Sequence, residues 1–219
     1  MGFQILHFNR VTSTQEIAKM ILKENVVVVA DEQTSARGRY GRTWISPYGG
    51  LWLTVILKDR KENIITLAAG VAVVKALKNM GVDAKIKWPN DILVHGKKAA
   101  GILAEIYGDH LLLGIGINLE NEIPEEIKEI ATNLPHIEKE ALLPLLLEIL
   151  EEEIEKEKER IIEEWRNYQC TLGRRVLIDE KIEGIAESID DEGFLILNCN
   201  GKRERILAGT LRFLDGQKY

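Results

Sequence analysis

The chain has only two cysteines among its 219 residues, Cys170 and Cys199, and neither belongs to a metal-ligand pair or a disulfide-rich secreted scaffold. The four histidines are scattered and predict no metal site. No run approaches the ~20 apolar residues of a membrane span, and the N-terminus lacks the basic region and apolar core of a secretion signal. We therefore expect a globular, cytoplasmic protein with no membrane partner.

The net charge of −6 is distributed unevenly along the chain. Residues 120–164 hold 16 of the 35 acidic side chains and 5 of the 29 basic ones, so the remainder carries a net charge of +5. An acidic run of this kind is most simply a solvated helix face. The low overall charge therefore does not describe the region in which the arginines cluster.

Residues 36–44 contain three arginines and two glycines within the six residues from Arg37 to Arg42. Apolar runs at residues 26–29 and 51–57 predict buried strands on either side. A charge cluster between buried strands is costly unless an anion meets it, and arginine matches the geometry of carboxylate and phosphate oxygens. The segment is either a loop that holds a small acid or a phosphate, or a solvated connection.

A second polar segment runs from Lys87 to Ile92 and is followed by Lys98 and by residues 101–105. Proline ends a strand, and the Asn-Asp pair after it favours a turn. Asn90 and Asp91 are then free to point into a site. The alternative is a plain hairpin with Lys97 and Lys98 at its exposed tip.

The pattern of apolar residues and turn residues predicts mixed secondary structure. Helices are predicted at residues 13–23, with Ser13 and Glu16 as a capping box, at residues 63–80, and as one long acidic helix at residues 144–168. Strands are predicted at residues 26–30, 51–57, 85–87, 92–94, 101–107 and 111–118. After a boundary near Gly173, short strands are predicted at residues 175–178, 182–189, 194–197 and 203–207.

Six short elements together resemble the catalytic domain of biotin–protein ligases. The arginine-glycine loop is Ala36-Arg-Gly-Arg-Tyr-Gly-Arg-Thr-Trp44, and a Lys-Trp-Pro-Asn-Asp element spans residues 87–91. The other elements are Ser13-Thr14, Lys98-x-x-Gly-Ile-Leu103, Gly114-x-Gly-x-Asn118 and Ala131-Thr-x-Leu134. They follow the order of the family along most of the chain.

The resemblance implies an α+β fold. A mixed or antiparallel sheet with packed helices, like that of class II synthetases, would form a catalytic domain at residues 1–172. A small SH3-like β-barrel would follow at residues 173–219. The implied reaction has two steps. The carboxylate of biotin attacks ATP, with Mg²⁺ assisting, to give biotinyl-5′-AMP, and a lysine of a biotin carboxyl carrier protein or carrier domain then takes the biotinyl group.

The resemblance also implies roles for residues. Arg39, Arg42 and Lys98 would be catalytic, with Asp91 near the metal. The implied binding residues are Ser13, Thr14, Gln15, Gln33, Arg37, Gly38, Arg39, Trp44, Asn90, Asp91, Lys98, Gly101, Gly114, Gly116 and Asn118. For Ser13 the role of helix cap is an alternative, and for Trp44 the alternative is core packing. A homodimer is plausible, and no DNA partner is expected because the chain begins at the catalytic domain.

Two departures and three rival functions accompany the resemblance. Ala36 replaces the glycine usual at the start of the loop, and Gln15 stands where the family commonly has asparagine. A lipoate–protein ligase would share the fold and chemistry, although the dense arginine-glycine loop favours biotin. A non-catalytic sensor of biotin or nucleotide would bind without releasing AMP. Nucleic-acid binding would need a broader basic surface than three arginines.

Overall fold

The computed structural model describes residues 2–58 and 60–215, which form two β-sheets and four α-helices. The larger sheet has the strand order β1-β2-β3-β7-β6-β5-β4, in which β1 is parallel to β2 and all other neighbours are antiparallel. Its strands are β1 (Gln4–Val11), β2 (Val26–Gln33), β3 (Leu51–Lys58), β4 (Ala84–Lys87), β5 (Asp91–Val94), β6 (Lys97–Tyr107) and β7 (His110–Ile117). The expected mixed sheet with packed helices is confirmed.

Helices cover both faces of this sheet. They are α1 (Thr14–Ile21), α2 (Glu62–Asn79), α3 (Lys139–Ile154) and α4 (Lys158–Tyr168). Val26 and Val28 of β2 pack with Ala18 of α1, whereas Val27 and Val29 belong to the core that includes α2. Successive side chains of a strand point to opposite faces, so the run of four valines is buried on both sides. None of the helices in the described residues is both long and apolar enough to cross a membrane.

The smaller sheet is antiparallel, with the order β11-β10-β9-β8-β12. Its strands are β8 (Arg175–Ile178), β9 (Ile182–Ile189), β10 (Leu195–Cys199), β11 (Lys202–Ile206) and β12 (Leu211–Phe213). The sheet is open, because its edge strands β11 and β12 do not pair with each other among the described residues. The predicted closed barrel is therefore corrected to an open five-stranded sheet.

Buried side chains of the two sheets belong to one apolar cluster. Trp88, just after β4, donates its indole N–H to the carbonyl of Gly193 at 3.1 Å, and Gly193 lies against Leu67 of α2. The division into domains at residue 172 stays a prediction, and residues 1, 59 and 216–219 of those expected domains lie outside the described residues.

The predicted long acidic helix is wrong. Two helices, α3 and α4, occupy this region and are separated at Glu155–Glu157, and α3 begins five residues before Pro144. Proline favours the first turn of a helix, but here it lies inside α3. The break lets both helices pack against α2.

A network of charged side chains holds α2, α3 and α4 together. Lys75 of α2 donates to the buried carboxylate of Glu153 at 2.7 Å and also to the carboxylate of Glu164. Lys156 donates to Glu153 at 2.8 Å and to Glu164 at 2.7 Å. Burial alone would lower the pKa of Lys75, but its hydrogen bonds to Glu153 and Glu164 raise it above its ordinary value. Burial would raise the pKa of Glu164, yet the two lysines hold it below its ordinary value.

Replacing Lys75 by methionine should lower the free energy of unfolding by about 1–3 kcal/mol, because it leaves Glu153 buried with one cation instead of two. Lys158→Met, which removes an exposed lysine paired with Asp191, is the matched control and should cost at most about 1 kcal/mol. Urea unfolding at pH 7 measures both. Equal effects of the two substitutions would contradict the assigned role of the network.

Acid should erase part of the difference between wild type and Lys75→Met. The pKa of Glu164 is depressed in the folded state. Its contribution to stability is therefore complete above its unfolded pKa, about 4.3, and is lost as the pH falls through the lower folded pKa. Unfolding curves between pH 7 and pH 3 should show the gap narrowing below about pH 4, and a gap that stays constant would argue against this linkage.

Candidate active site

A cavity of about 450 Å³ lies over the paired part of β6 and β7, beneath the loop between β2 and β3. It is lined by every residue that the sequence analysis assigned to binding or catalysis. In chain order these are Ser13, Thr14, Gln15, Gln33, Arg37, Gly38, Arg39, Arg42, Trp44, Asn90, Asp91, Lys98, Gly101, Gly114, Gly116 and Asn118. The fold thus brings distant segments together, while the role of each residue stays a prediction.

One end of the cavity carries neutral hydrogen-bonding groups. The backbone N–H and the hydroxyl of Thr14 both donate to Gln33 Oε1, at 2.8 and 3.1 Å, and Gln33 Nε2 donates to the hydroxyl of Ser46 at 3.0 Å. The buried Thr54 hydroxyl donates to Thr14 Oγ1 at 2.8 Å. Connected networks of this kind fix side-chain orientation. The network therefore presents donors and acceptors to a neutral polar ligand group.

Ser13 and Gln15 extend this polar end. Ser13 is the N-cap of α1, and its Oγ accepts from the backbone N–H of Gln15 at 3.2 Å. The expected capping box is incomplete, because the Glu16 carboxylate accepts from Lys19 instead. The buried Gln15 faces three acceptors at 3.4 Å through Nε2, and its Oε1 has no partner among the described residues. A buried acceptor without a partner is costly, so Gln15 is suited to receive an N–H from a ligand.

Trp44 forms a wall of the cavity, and glycines of the sheet make room for it. A Cβ at Gly116 would lie 2.6 Å from Trp44 Nε1, and one at Gly101 would lie 3.2 Å from the same ring. The indole stands edge-to-face with Trp52 at 6.4 Å between centroids, and the ammonium of Lys98 lies 5.0 Å from its ring. These two glycines therefore accommodate a protein side chain, and Trp44 combines core packing with a place beside the predicted ligand.

Cations gather at the opposite end around one carboxylate. Lys98 Nζ lies 2.5 Å from Asp91 Oδ1, and Lys87 Nζ lies 4.0 Å from Oδ2 of the same residue. Burial lowers the pKa of Lys87; neighbouring Asp91 acts in the opposite direction, and Lys98 adds to the lowering. Because one carboxylate faces two ammonium groups, this end of the cavity retains positive charge for an anionic ligand.

The loop between β2 and β3 folds back on itself and presents its arginines to the cavity. Gly38 N–H donates to the carbonyl of Arg42 at 2.7 Å, and Trp44 N–H donates to that of Ala36 at 3.0 Å. The buried Ala36 does not adopt a left-handed backbone conformation, so the methyl group that replaces the family's glycine causes no strain there. Tyr40, in contrast, has a φ of 59°, which is unusual for a residue with a Cβ.

Each arginine of the loop has different surroundings. Arg39 Nη1 lies 3.4 Å from Asn90 Oδ1, and Asn90 Nδ2 in turn donates to the carbonyl of Ile102 at 2.8 Å. Arg42 donates to the hydroxyl of Thr210, in the connection before β12, at 2.7 Å. Arg37 is exposed at the cavity rim.

Asn118 and Lys98 are held by the segment that contains the Ala131-Thr132 element. Lys98 N–H donates to the carbonyl of Ile130 at 2.8 Å, and Thr132 N–H donates to the carbonyl of Lys98 at 2.9 Å. Asn118 Nδ2 donates to the carbonyl of Thr132 at 3.1 Å, and its Oδ1 accepts from Asn121 at 3.2 Å. Backbone pairing thus fixes the position from which the Lys98 side chain extends.

The described residues contain no group of three or more His, Cys, Asp or Glu side chains that could hold a metal ion. Asp91, the expected metal ligand, offers one carboxylate that is already paired with Lys98. Mg²⁺ usually binds one or two carboxylates together with phosphates of a substrate. The arrangement does not fit a metal held by protein side chains alone.

Several residues that line the cavity received no role in the sequence analysis, and three of them have polar groups near the predicted site. Lys87 was part of the Lys-Trp-Pro-Asn-Asp element but received no role, although its partly buried ammonium faces Asp91. Tyr40 and Thr210 also line the cavity. Lys87 and Tyr40 both stand inside quoted motifs, but the contacts of Tyr40 depend on loop conformation and the place of Thr210 depends on packing between the two sheets.

The arrangement suits a ligand of definite chemistry. It joins a neutral hydrogen-bonding end, an apolar wall formed by Trp44 and Ile102, and a cationic end. A molecule with a compact polar head, a short apolar chain and an anionic terminus would fill these parts in order. Cations fixed beside an anionic group can also stabilise negative charge that develops during a reaction.

Comparison with known proteins agrees with this chemistry. The profile "Biotin/lipoate A/B protein ligase family" matches residues 7–120, and "Biotin protein ligase C terminal domain" matches residues 171–211. The bifunctional ligase/repressor BirA of Bacillus subtilis is 34% identical, over 96% of this chain and 74% of that protein. The biotin–[acetyl-CoA-carboxylase] ligase of Mycobacterium tuberculosis is 32% identical, over 86% of this chain and 79% of that protein.

Among solved structures, the chain is similar to a biotin protein ligase from Aquifex aeolicus in complex with biotin and ATP. The two share 30% sequence identity and superpose with a TM-score of 0.89, over 96% of this chain and 99% of that one.

Gly116→Ala should lower the free energy of unfolding by about 1–3 kcal/mol, because the new methyl group overlaps the pyrrole edge of Trp44. Gly114→Ala is the matched control on the same strand. Its Cβ would approach no atom closer than 3.4 Å, so its cost should stay below about 1 kcal/mol. Combining Gly116→Ala with Trp44→Phe should recover part of the loss in urea unfolding, and a purely additive result would contradict the proposed clash.

Proposed function

This chain belongs to the biotin/lipoate A/B protein ligase family, and from that premise we propose that it is an ATP-dependent biotin–protein ligase. It joins biotin to the side-chain amine of a specific lysine in a carrier protein, through biotinyl-5′-AMP. The observation that carries this proposal is a cavity of about 450 Å³ with a neutral hydrogen-bond network at one end and Lys98, Arg39 and Arg42 at the other. Biotin has the matching chemistry, with a cyclic urea, an apolar chain and a carboxylate.

The polar end of the cavity binds the urea ring. A urea offers two N–H donors and one carbonyl acceptor, so it needs both kinds of partner. Gln15 Oε1 supplies an acceptor, and Ser13 and Gln33 can supply donors. Trp44 and Ile102 flank the chain that leads to the carboxylate.

In the first step, an oxygen of the biotin carboxylate attacks the α-phosphorus of ATP, and pyrophosphate leaves. Two anions must approach each other, and charge develops on the transferring oxygens. Lys98 and Arg39 offset that charge at the carboxylate and the α-phosphate. Arg42, Asn90, Asp91 and Asn118 contact the nucleotide.

In the second step, the neutral amine of the acceptor lysine attacks the carbonyl carbon of the mixed anhydride. An amide bond forms, the carbon–oxygen bond to phosphate breaks, AMP leaves with the electron pair, and the amine nitrogen releases one proton to solvent. The nucleophile belongs to the carrier protein, so the ligase needs no nucleophilic side chain of its own. Its task is to hold the anhydride in place and to exclude water.

Mg²⁺ enters this proposal as part of the substrate Mg·ATP. The ion would reduce the charge of the phosphates, and the described residues supply at most Asp91 to meet it. The homodimer that the resemblance implies and the cytoplasmic location expected from the sequence also stay proposals, as does a biotin carboxyl carrier protein or carrier domain as the acceptor.

Lipoate is the nearest alternative substrate, because the family includes lipoate ligases. Its dithiolane ring cannot use the hydrogen bonds that Gln15, Thr14 and Gln33 offer, and leaving buried polar groups unpaired costs binding energy. A non-catalytic sensor would bind biotin without releasing AMP. The cations at the other end of the cavity favour catalysis.

The decisive experiment incubates the chain with labelled biotin, Mg·ATP and a biotin carrier domain. We expect ATP–pyrophosphate exchange that depends on biotin, followed by label on one lysine of the carrier. Exchange that responds to lipoate and ignores biotin would overturn the choice of substrate. Biotin binding without exchange would favour the sensor.

Lys98→Ala should lower the rate of biotinyl-AMP formation by about 100-fold or more, because it removes a fixed charge beside the transferring oxygens. Lys97→Ala is a matched control on the neighbouring residue, because the Lys97 ammonium donates to the carbonyl of Lys128 and does not face Asp91. Single-turnover formation of biotinyl-AMP measures both variants. A normal rate in Lys98→Ala would remove this lysine from the reaction.

A further inference from the structure

We propose that Thr210 is a positioning residue, through which the smaller sheet orients Arg42 toward the nucleotide. The inference rests on the proposed function and extends it to a residue that carries no charge and belongs to no motif described above. Thr210 lies 168 residues from Arg42 in sequence, yet its hydroxyl accepts a hydrogen bond from the Arg42 guanidinium at 2.7 Å. Thr210 and its neighbours Gly209 and Leu211 line the cavity.

Thr210 is itself held firmly in place. Its backbone N–H donates to the carboxylate of Asp179 at 2.7 Å, and its carbonyl accepts from the backbone N–H of Asp179 at 3.0 Å. The next residue, Leu211, begins β12 and pairs with Ile178 of β8. These hydrogen bonds fix the backbone of Thr210, and a β-branched side chain has few rotamers to choose from, so the hydroxyl offers Arg42 a well-placed partner.

Arg42 is also restrained from the side of its own loop. The left-handed conformation of Tyr40 brings its ring within 5.9 Å of the Arg42 guanidinium and within 5.1 Å of that of Arg39. A strained backbone conformation in a binding loop persists only where its surroundings hold it. Tyr40 and Thr210 thus contact Arg42 from two separate parts of the fold.

The neutral character of both contacts matters. Within residues 2–58 and 60–215, Arg42 forms no ion pair. A carboxylate in the position of Thr210 would orient the guanidinium and also neutralise it. A hydroxyl and an aromatic ring orient the charge and leave it available for phosphate oxygens.

Thr210→Val tests the inference, because it keeps the size of the side chain and removes the acceptor. We expect the KM for ATP in biotin-dependent pyrophosphate exchange to rise about three- to tenfold, as for the loss of one ordinary hydrogen bond. The KM for biotin, the kcat and the melting temperature should change little. Thr210→Ser, which retains the hydroxyl, should restore most of the affinity for ATP.

Two further variants separate positioning from general effects on the smaller sheet. Arg203→Gln removes an exposed ion pair with Glu187, outside the residues that line the cavity, and should leave the KM for ATP unchanged. In a protein that already carries Arg42→Met, Thr210→Val should raise the KM for ATP by less than about 1.5-fold, because the two side chains would act as one unit.

Calorimetric titration with Mg·ATP keeps the inference testable independently of activity. The proposed role of Thr210 would be overturned if Thr210→Val had the same KM and affinity for ATP as the wild type. It would also be overturned if Thr210→Val weakened ATP binding equally in the presence and in the absence of the Arg42 side chain. Absence of biotin-dependent exchange in the wild-type chain would instead defeat the proposed function. The titration would then still show whether Thr210 acts on ATP binding.

Discussion

Repulsion among like charges is the constraint on which the cavity depends. Arginines of one loop and lysines of two strands converge on a small volume, where Asp91 is the carboxylate paired with the lysines. The fold tolerates this because neutral or aromatic groups hold several of the cations: Asn90 contacts Arg39, Thr210 contacts Arg42, and the Trp44 ring lies beside Lys98. The positive charge is thus oriented but only partly cancelled, which is the condition for binding anions.

Much of the fold could be predicted because burial leaves a clear pattern. The valines of β2 are buried on both faces of the sheet, and most residues of α2 are buried as well. Both elements were predicted near their observed limits. The edge strand β1 was missed because its alternation of exposed and partly buried residues is weak. The break between α3 and α4 was missed because it depends on packing against α2 and on charges from three helices, and a sequence pattern does not show these contacts.

The sequence predicted which residues lie near one another in the candidate site but not which neighbours hold them, and the role of each residue stays a prediction. Charged and glycine-rich motifs mark the chain because few structural needs explain them, and the residues assigned to the site from these motifs line one cavity. The neighbour of Gly116 is a protein side chain, Trp44, whereas the resemblance implied that Gly116 binds a ligand. Contacts such as that between Arg42 and Thr210 leave no trace in local sequence, because they depend on how the two sheets pack.

The shared apolar cluster beneath the two sheets has a consequence for the way the molecule melts. Leu195 and Leu197 of the smaller sheet lie in the same cluster as Leu67 of α2 and Ile102 of β6. Neither sheet can separate from the other without exposing part of this common interior, and a small β unit has little interior of its own. Loss of structure should therefore be cooperative, with one calorimetric transition spanning both parts of the chain.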